Sequence, residues 1–216
     1  MAMKILVSNL GKKFNTDWIF KNLSFEFLPG ETYALTGNNG AGKSTLLQIL
    51  AGAIVPSEGN IIYTLDGQNI EGEAIYQYIT LTTPYLELIE EMTAFEFLKF
   101  HQHFKPFIEG ISQKEMLETV GLKNAGDKQI RNFSSGMKQR LRLLQAFFSQ
   151  SKVLFLDEPC ANLDNQGFEL YHHLVQQYSL NRLIIVSSND PREYSFAKRK
   201  LQMDMAARAW KEMPIA

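Results

Sequence analysis

The sequence predicts an α/β fold built around a parallel sheet. Two short, continuous apolar runs, Lys152–Leu156 and Leu183–Val186, have the character of strands buried on both faces. Helical-period stretches alternate with such runs, as they do where strands are joined by crossover helices. Glu31–Thr36 reads as a strand that runs straight into a glycine-rich loop and then a helix.

Taken in order, Ile5–Leu10 and Leu23–Leu28 carry the clustered or alternating apolar residues of strands. Pro29-Gly30 marks a turn before the strand at Glu31–Thr36. From Lys43 to Ala51 the period is helical, with Leu46, Leu47 and Leu50 on one side and Gly52 closing the helix. Pro56-Ser57-Glu58-Gly59 predicts a second turn, and Asn60–Leu65 a further strand. The chain then changes character, and residues 85–150 are helix-rich. Phe95, Leu98, Phe100 and Phe104 suggest a broad apolar face there, Pro106 and Gly110 a break, and Met137–Phe148 another helix. This helical middle reads as an insertion into the α/β core.

Composition narrows the function classes. The chain has 216 residues, enough for one domain with a substantial apolar interior. A formal net charge of −1 gives no support to a broad nucleic-acid surface, so no nucleic-acid partner is expected. Cys160 is the sole cysteine, which rules out an intramolecular disulfide and suits a reducing compartment. No apolar run approaches the ~20 residues that span a bilayer, and Met1–Val7 lacks the apolar stretch of a signal peptide. The expected location is therefore cytoplasmic, with any membrane link made through a partner. Met1 and Met3 both stand as candidate start residues.

The loop Gly37-Asn38-Asn39-Gly40-Ala41-Gly42-Lys43-Ser44 satisfies G-x-x-x-x-G-K-[ST], and it sits between a predicted strand and a predicted helix as that motif requires. Its glycines let backbone N–H groups turn inward onto phosphate oxygens, and the helix N-terminus adds partial positive charge. Lys43 is expected to reach the β- and γ-phosphates, Ser44 to ligate Mg²⁺, and Thr45 to add a second hydroxyl. Val153-Leu154-Phe155-Leu156-Asp157-Glu158 is an apolar strand that delivers two carboxylates at its C-terminal end, where α/β sheets bind ligands. Asp157 is expected to hold Mg²⁺ through water, and Glu158 to polarise the attacking water as a general base. ATP and Mg²⁺ are the implied cofactors.

Between these motifs lies Phe133-Ser134-Ser135-Gly136-Met137, about twenty residues before the two carboxylates. It resembles the signature of ATP-binding cassette (ABC) ATPases, usually L-S-G-G-Q. Ser134 stands where a helix N-cap belongs, so its hydroxyl and the amides after it could take an anion. Ala161-Asn162-Leu163-Asp164 resembles the D-loop of that family. Phe14 lies where the family carries an aromatic that stacks on adenine; core packing near a strand end is the other reading of the same residue.

The resemblance implies a P-loop NTPase fold with a mainly parallel sheet core, an N-terminal antiparallel β portion and an inserted helical subdomain. Residues 1–83 and 151–216 would form the core and 84–150 the helical part. It also implies a head-to-tail dimer with a second copy or a paralogous ATPase subunit. Each ATP would be held between the phosphate loop of one subunit and Ser134, Ser135 and Gly136 of the other, with Asp164 at the shared interface. An integral membrane transporter subunit is the further partner expected, which would hold the chain at the inner face of the membrane.

Two departures from the family stand out. Its usual glutamine, at the junction of sheet and helical insertion, gives way to Thr83 or Pro84, and Gln77 comes too early. Its switch histidine gives way to Asn189, which can hydrogen-bond a γ-phosphate but cannot carry positive charge. His101, His103, His172 and His173 lie in helical stretches and are read as packing residues rather than metal ligands. Three functions compete: a transporter ATPase subunit, a non-transport ABC ATPase, and a low-turnover regulatory subunit. The aromatics from Tyr85 to Phe107 fit either a docking groove for a membrane subunit or the core of the helical part.

Overall fold

The computed structural model describes residues 2–214; Met1, one of the two candidate starts, lies outside them. The chain divides into two compact units. The first gathers the chain up to Leu81, Ser151–Glu158 and the chain from Asn181 onward; the second holds Thr82–Gln150 and Pro159–Leu180.

The first unit contains two sheets. Strand β1 (Met3–Phe14) pairs antiparallel with both β2 (Asp17–Phe27) and β4 (Glu58–Leu65), and β5 (Gln68–Ile70) adds to β4. This is the N-terminal antiparallel portion, with order β2-β1-β4-β5. Both early strands are longer than the apolar clusters suggested, because a β-hairpin closes through Phe14 and Asp17. Gly59, read as a turn residue, lies inside β4 with φ +79, and a Cβ there would come within 2.4 Å of the Ser8 carbonyl oxygen. It sits beside a register shift between Ser8 and Gly11, so glycine permits the close approach of a β-bulge.

The second sheet has the order β10-β9-β3-β8-β7-β6. Its centre is parallel: β3 (Thr32–Thr36) lies between β8 (Leu183–Ser187) and β9 (Arg199–Asp204), and β7 (Val153–Asp157) pairs with β8. Every residue of β7 and β8 is buried, which is why both read as unbroken apolar runs. The edge strands β6 (Ile79–Thr82) and β10 (Ala209–Met213) are less apolar and escaped the sequence reading. Helix α1 (Lys43–Leu50) packs Leu46, Leu47, Ile49 and Leu50 into the core, and it stops where Gly52 (φ +73) donates to the Ile49 carbonyl.

The second unit is helical: α2 (Ala94–Phe104), α3 (Gln113–Thr119), α4 (Ser135–Phe148) and α5 (Asn165–Tyr178). The apolar face of α2 differs from expectation. Ala94, Phe97 and Leu98 are buried, whereas Phe100 and Phe104 point outward and pack edge to face on each other. None of these helices is long and apolar enough to cross a membrane.

Candidate functional site

The phosphate loop is built where β3 ends. Thr36 is the last paired residue, and Gly37 (φ +141), Gly40 (φ +77) and Gly42 (φ +93) then bend the chain through conformations that side-chain-bearing residues resist. The Ala41 amide donates to the Asn38 carbonyl (3.0 Å), closing a turn with Asn39 and Gly40 at its tip. Gly42 caps α1 in the left-handed region and, having no side chain, makes no side-chain cap hydrogen bond to the first amides of the helix. A Cβ on Gly42 would fall 2.3 Å from Ile19 of β2, so the close packing of loop on strand requires glycine there. Uncapped amides at a glycine-bounded helix start are a ready anion site.

Lys43, 5% exposed, folds back so that Nζ donates to the carbonyls of Gly37 (2.8 Å) and Asn38 (3.2 Å). Burial pushes its pKa down, while the nearby charges of Glu158 and Asp157 oppose that shift. Asp157 ends β7 directly beside Ser187 of β8, and it is 3% exposed. Burial raises its carboxyl pKa, opposed by the hydroxyls of Ser44 and Ser187 and by the charge of Lys43. Its Oδ1 has no hydrogen-bond partner among the described residues. Cation and carboxylates thus come near one another at the ends of β3 and β7, the strands on either side of β8.

Glu158 follows in an exposed position with φ +42, its N–H donating to the Ser187 carbonyl (2.9 Å). That left-handed backbone, uncommon for glutamate, turns the chain out of the sheet immediately after the buried Asp157. Across the same sheet end, Asn189 Nδ2 donates to Asn39 Oδ1 at 2.7 Å. Phe14 is 47% exposed at the end of β1 with the Lys12 ammonium 4.9 Å from its ring centroid, so core packing is not its place. Gln77 is exposed in a 3-10 turn ahead of β6. The chain after β6 turns at Thr83, whose carbonyl accepts from the Leu86 N–H.

The remaining candidates belong to the helical unit. Ser134 is the N-cap of α4, its hydroxyl accepting from the Met137 amide (3.2 Å), and Ser135 opens the helix. A Cβ on Gly136 would stand 3.3 Å from the Asn162 carbonyl oxygen, so this glycine lets α4 approach the Ala161–Asp164 segment closely. Asp164 caps α5 through Gly167 N–H (2.8 Å) and lies 3.5 Å from Arg140. One residue escaped the sequence reading. Gln139, fully buried, donates to the Pro159 carbonyl at 2.7 Å and accepts from Arg142. A polar residue on the core face of an amphipathic helix was the available signal.

A family model described as ABC transporter matches residues 20–161. The uncharacterized ABC transporter ATP-binding protein YybJ of Bacillus subtilis (strain 168) is 34% identical over 187 residues, 86% of this chain and 85% of that protein. The uncharacterized ABC transporter ATP-binding protein YxlF of the same organism is 39% identical over 168 residues, 74% of this chain and 54% of that protein. The chain therefore spans most of the first relative and about half of the second. Among solved structures, a dimeric ATP-binding cassette in a post-hydrolysis state bound to ADP and Pi superposes with a TM-score of 0.80. It shares 20% identity, over 98% of this chain and 99% of that one, a likeness of fold.

Proposed function

We infer that this chain, which belongs to the ABC transporter family of ATP-binding proteins, binds MgATP at its phosphate loop and hydrolyses it to drive a membrane transporter. The observation that carries this reading is the meeting of Lys43, Ser44 and Asp157 at the ends of β3 and β7. A buried carboxylate oxygen without a donor is costly, and Asp157 Oδ1 is one. A divalent cation held by Asp157 and the Ser44 hydroxyl would relieve that cost, so these residues fit Mg²⁺. When bound, Mg²⁺ neutralises charge on the β- and γ-phosphates.

The chain supplies the rest. Amides from Asn38 to Thr45 cradle the phosphates, and Lys43 shifts its donors from the Gly37 and Asn38 carbonyls to β- and γ-oxygens. Glu158, turned out of the sheet, orients and polarises the attacking water. Phe14, exposed and lying beside Lys12, offers its ring to adenine. Ser134, Ser135 and Gly136 of a second subunit close on the nucleotide, with Asp164 at the joint. ATP drives that closure only because it binds the closed dimer better than the open one. Exposed Tyr85, Phe100 and Phe104 on the helical unit are the side chains best suited to meet a membrane subunit. The chain then works as a cytoplasmic, peripheral subunit at the inner face of the membrane.

A slow variant of this activity is favoured by the chemistry of one side chain. Asn189 stands at the switch position as a neutral amide, which cannot carry the positive charge an imidazole can. Titration with a fluorescent ATP analogue, with and without Mg²⁺, tests the reading. Saturable, Mg²⁺-strengthened binding is expected, and its absence in purified, folded protein overturns the assignment.

A further inference from the structure

We propose that Asn39 is a positioning residue for the phosphoryl-transfer step, acting through Asn189 so that the two side chains work as one unit. The inference rests on the reading above that Asn189 faces the terminal phosphate.

Both backbones are held before the side chains meet. Asn39 sits at the tip of the Asn38–Ala41 turn, whose carbonyl end is also gripped by Lys43. On the other side, the Ser188 amide donates to Leu35 O (3.2 Å), and the Ser188 hydroxyl accepts from the Asp190 amide (2.9 Å). Asn189 is therefore fixed at both flanks, leaving mainly side-chain torsions free. The 2.7 Å bond from its Nδ2 to Asn39 Oδ1 removes that last freedom. Both residues are exposed, so the bond is not needed to satisfy a buried group. Its consequence is orientation.

The chemistry of the two amides gives that orientation a use. An asparagine amide has two N–H donors and one acceptor oxygen. With one Asn189 N–H on Asn39, the other N–H and the Oδ1 keep fixed directions, and Asn39 retains its own two donors. The pair presents donors to a phosphate, which is acceptor-only, and an acceptor to a water, all without net charge. An unanchored Asn189 would sample rotamers that scramble these directions, and phosphoryl transfer depends on positioning. A histidine at the same place could bond Asn39 Oδ1 through one ring N–H, so the anchor would serve it too.

A double-mutant cycle tests the pair. Asn39→Ala, Asn189→Ala and the double variant are assayed for steady-state ATPase, for affinity toward a fluorescent ATP analogue, and for thermal unfolding. We expect each single variant to lose about tenfold in kcat, the scale of one oriented hydrogen bond. Analogue affinity should change less than about twofold, and the double variant should be no slower than either single. Unchanged melting excludes a folding effect. Asn189→His should raise kcat several-fold in the wild-type background but not with Asn39→Ala. If Asn189→Ala is slow and Asn39→Ala is not, or if the two losses multiply, the proposal is overturned while the reading of Asn189 survives. If Asn189→Ala leaves kcat unchanged, that reading fails and the proposal with it.

Discussion

Lys43 Nζ donates to the carbonyl oxygen of Gly37 at 2.8 Å, so the one charged residue of the phosphate loop is held against the loop's own backbone. The ammonium is buried, and the charges of Glu158 and Asp157 help keep it protonated. In the proposed function it is stored beside the place where phosphate charge arrives. Lys43→Ala removes charge-assisted bonds worth about 1.5–3 kcal/mol each. We predict at least a tenfold loss of ATP affinity and no measurable turnover, with the fold retained by circular dichroism. A fluorescent-nucleotide titration of both proteins checks it.

The Gln139–Pro159 contact makes a stability prediction inside the helical unit. Gln139→Leu keeps the volume but leaves the Pro159 carbonyl without its donor and removes one of the acceptors of Arg142, whose Nε keeps its bond to the Leu86 carbonyl. The cost of one such orphaned buried group is about 1–3 kcal/mol. Urea unfolding should show the lowered midpoint, and a midpoint unchanged within error would show that water replaces the side chain freely.

His101 makes the fold sensitive to acid. The Ser149 hydroxyl donates to the Gln145 carbonyl (2.6 Å) and so accepts from His101 Nε2, while Gln145 donates to Nδ1 (3.0 Å). This arrangement holds a neutral ring, and burial, helped by the charge of Lys105, pushes its pKa down to about 4. The folded pKa lies below the unfolded value of about 6.5. The stability contributed by neutral His101 is therefore fully present above pH ~6.5 and is lost as pH falls from there towards 4. Thermal melts across that window should show a decline that is shallower in His101→Phe.

Much of the core was legible because burial on both faces leaves an unmistakable apolar run, as in β7 and β8. The phosphate loop was legible because its glycines and lysine are required at fixed spacing. The edge strands were not: β10 is mostly exposed and carries polar residues, and β6 is only four residues long with two threonines among them. Some signals were present and passed over. Thr93–Glu96 and Ser112–Glu115 are capping boxes that announce α2 and α3, as the structure bears out. Pairings such as Asn39 with Asn189 lie 150 positions apart, and no local pattern encodes them.

In the proposed cycle ATP closes two copies, or this chain and a paralogue, around bound nucleotide, and Glu158 ends that state by hydrolysis. Glu158→Gln removes the proposed base while leaving Asp157 and the phosphate loop intact. Size-exclusion chromatography of this variant with MgATP, beside the same variant with Lys43→Ala added, measures it most directly. We predict an ATP-dependent shift from monomer to dimer in Glu158→Gln alone, with turnover reduced at least a hundredfold, on the scale of losing a general base. Undiminished turnover by Glu158→Gln, or a dimer that forms equally without ATP, would rule this cycle out.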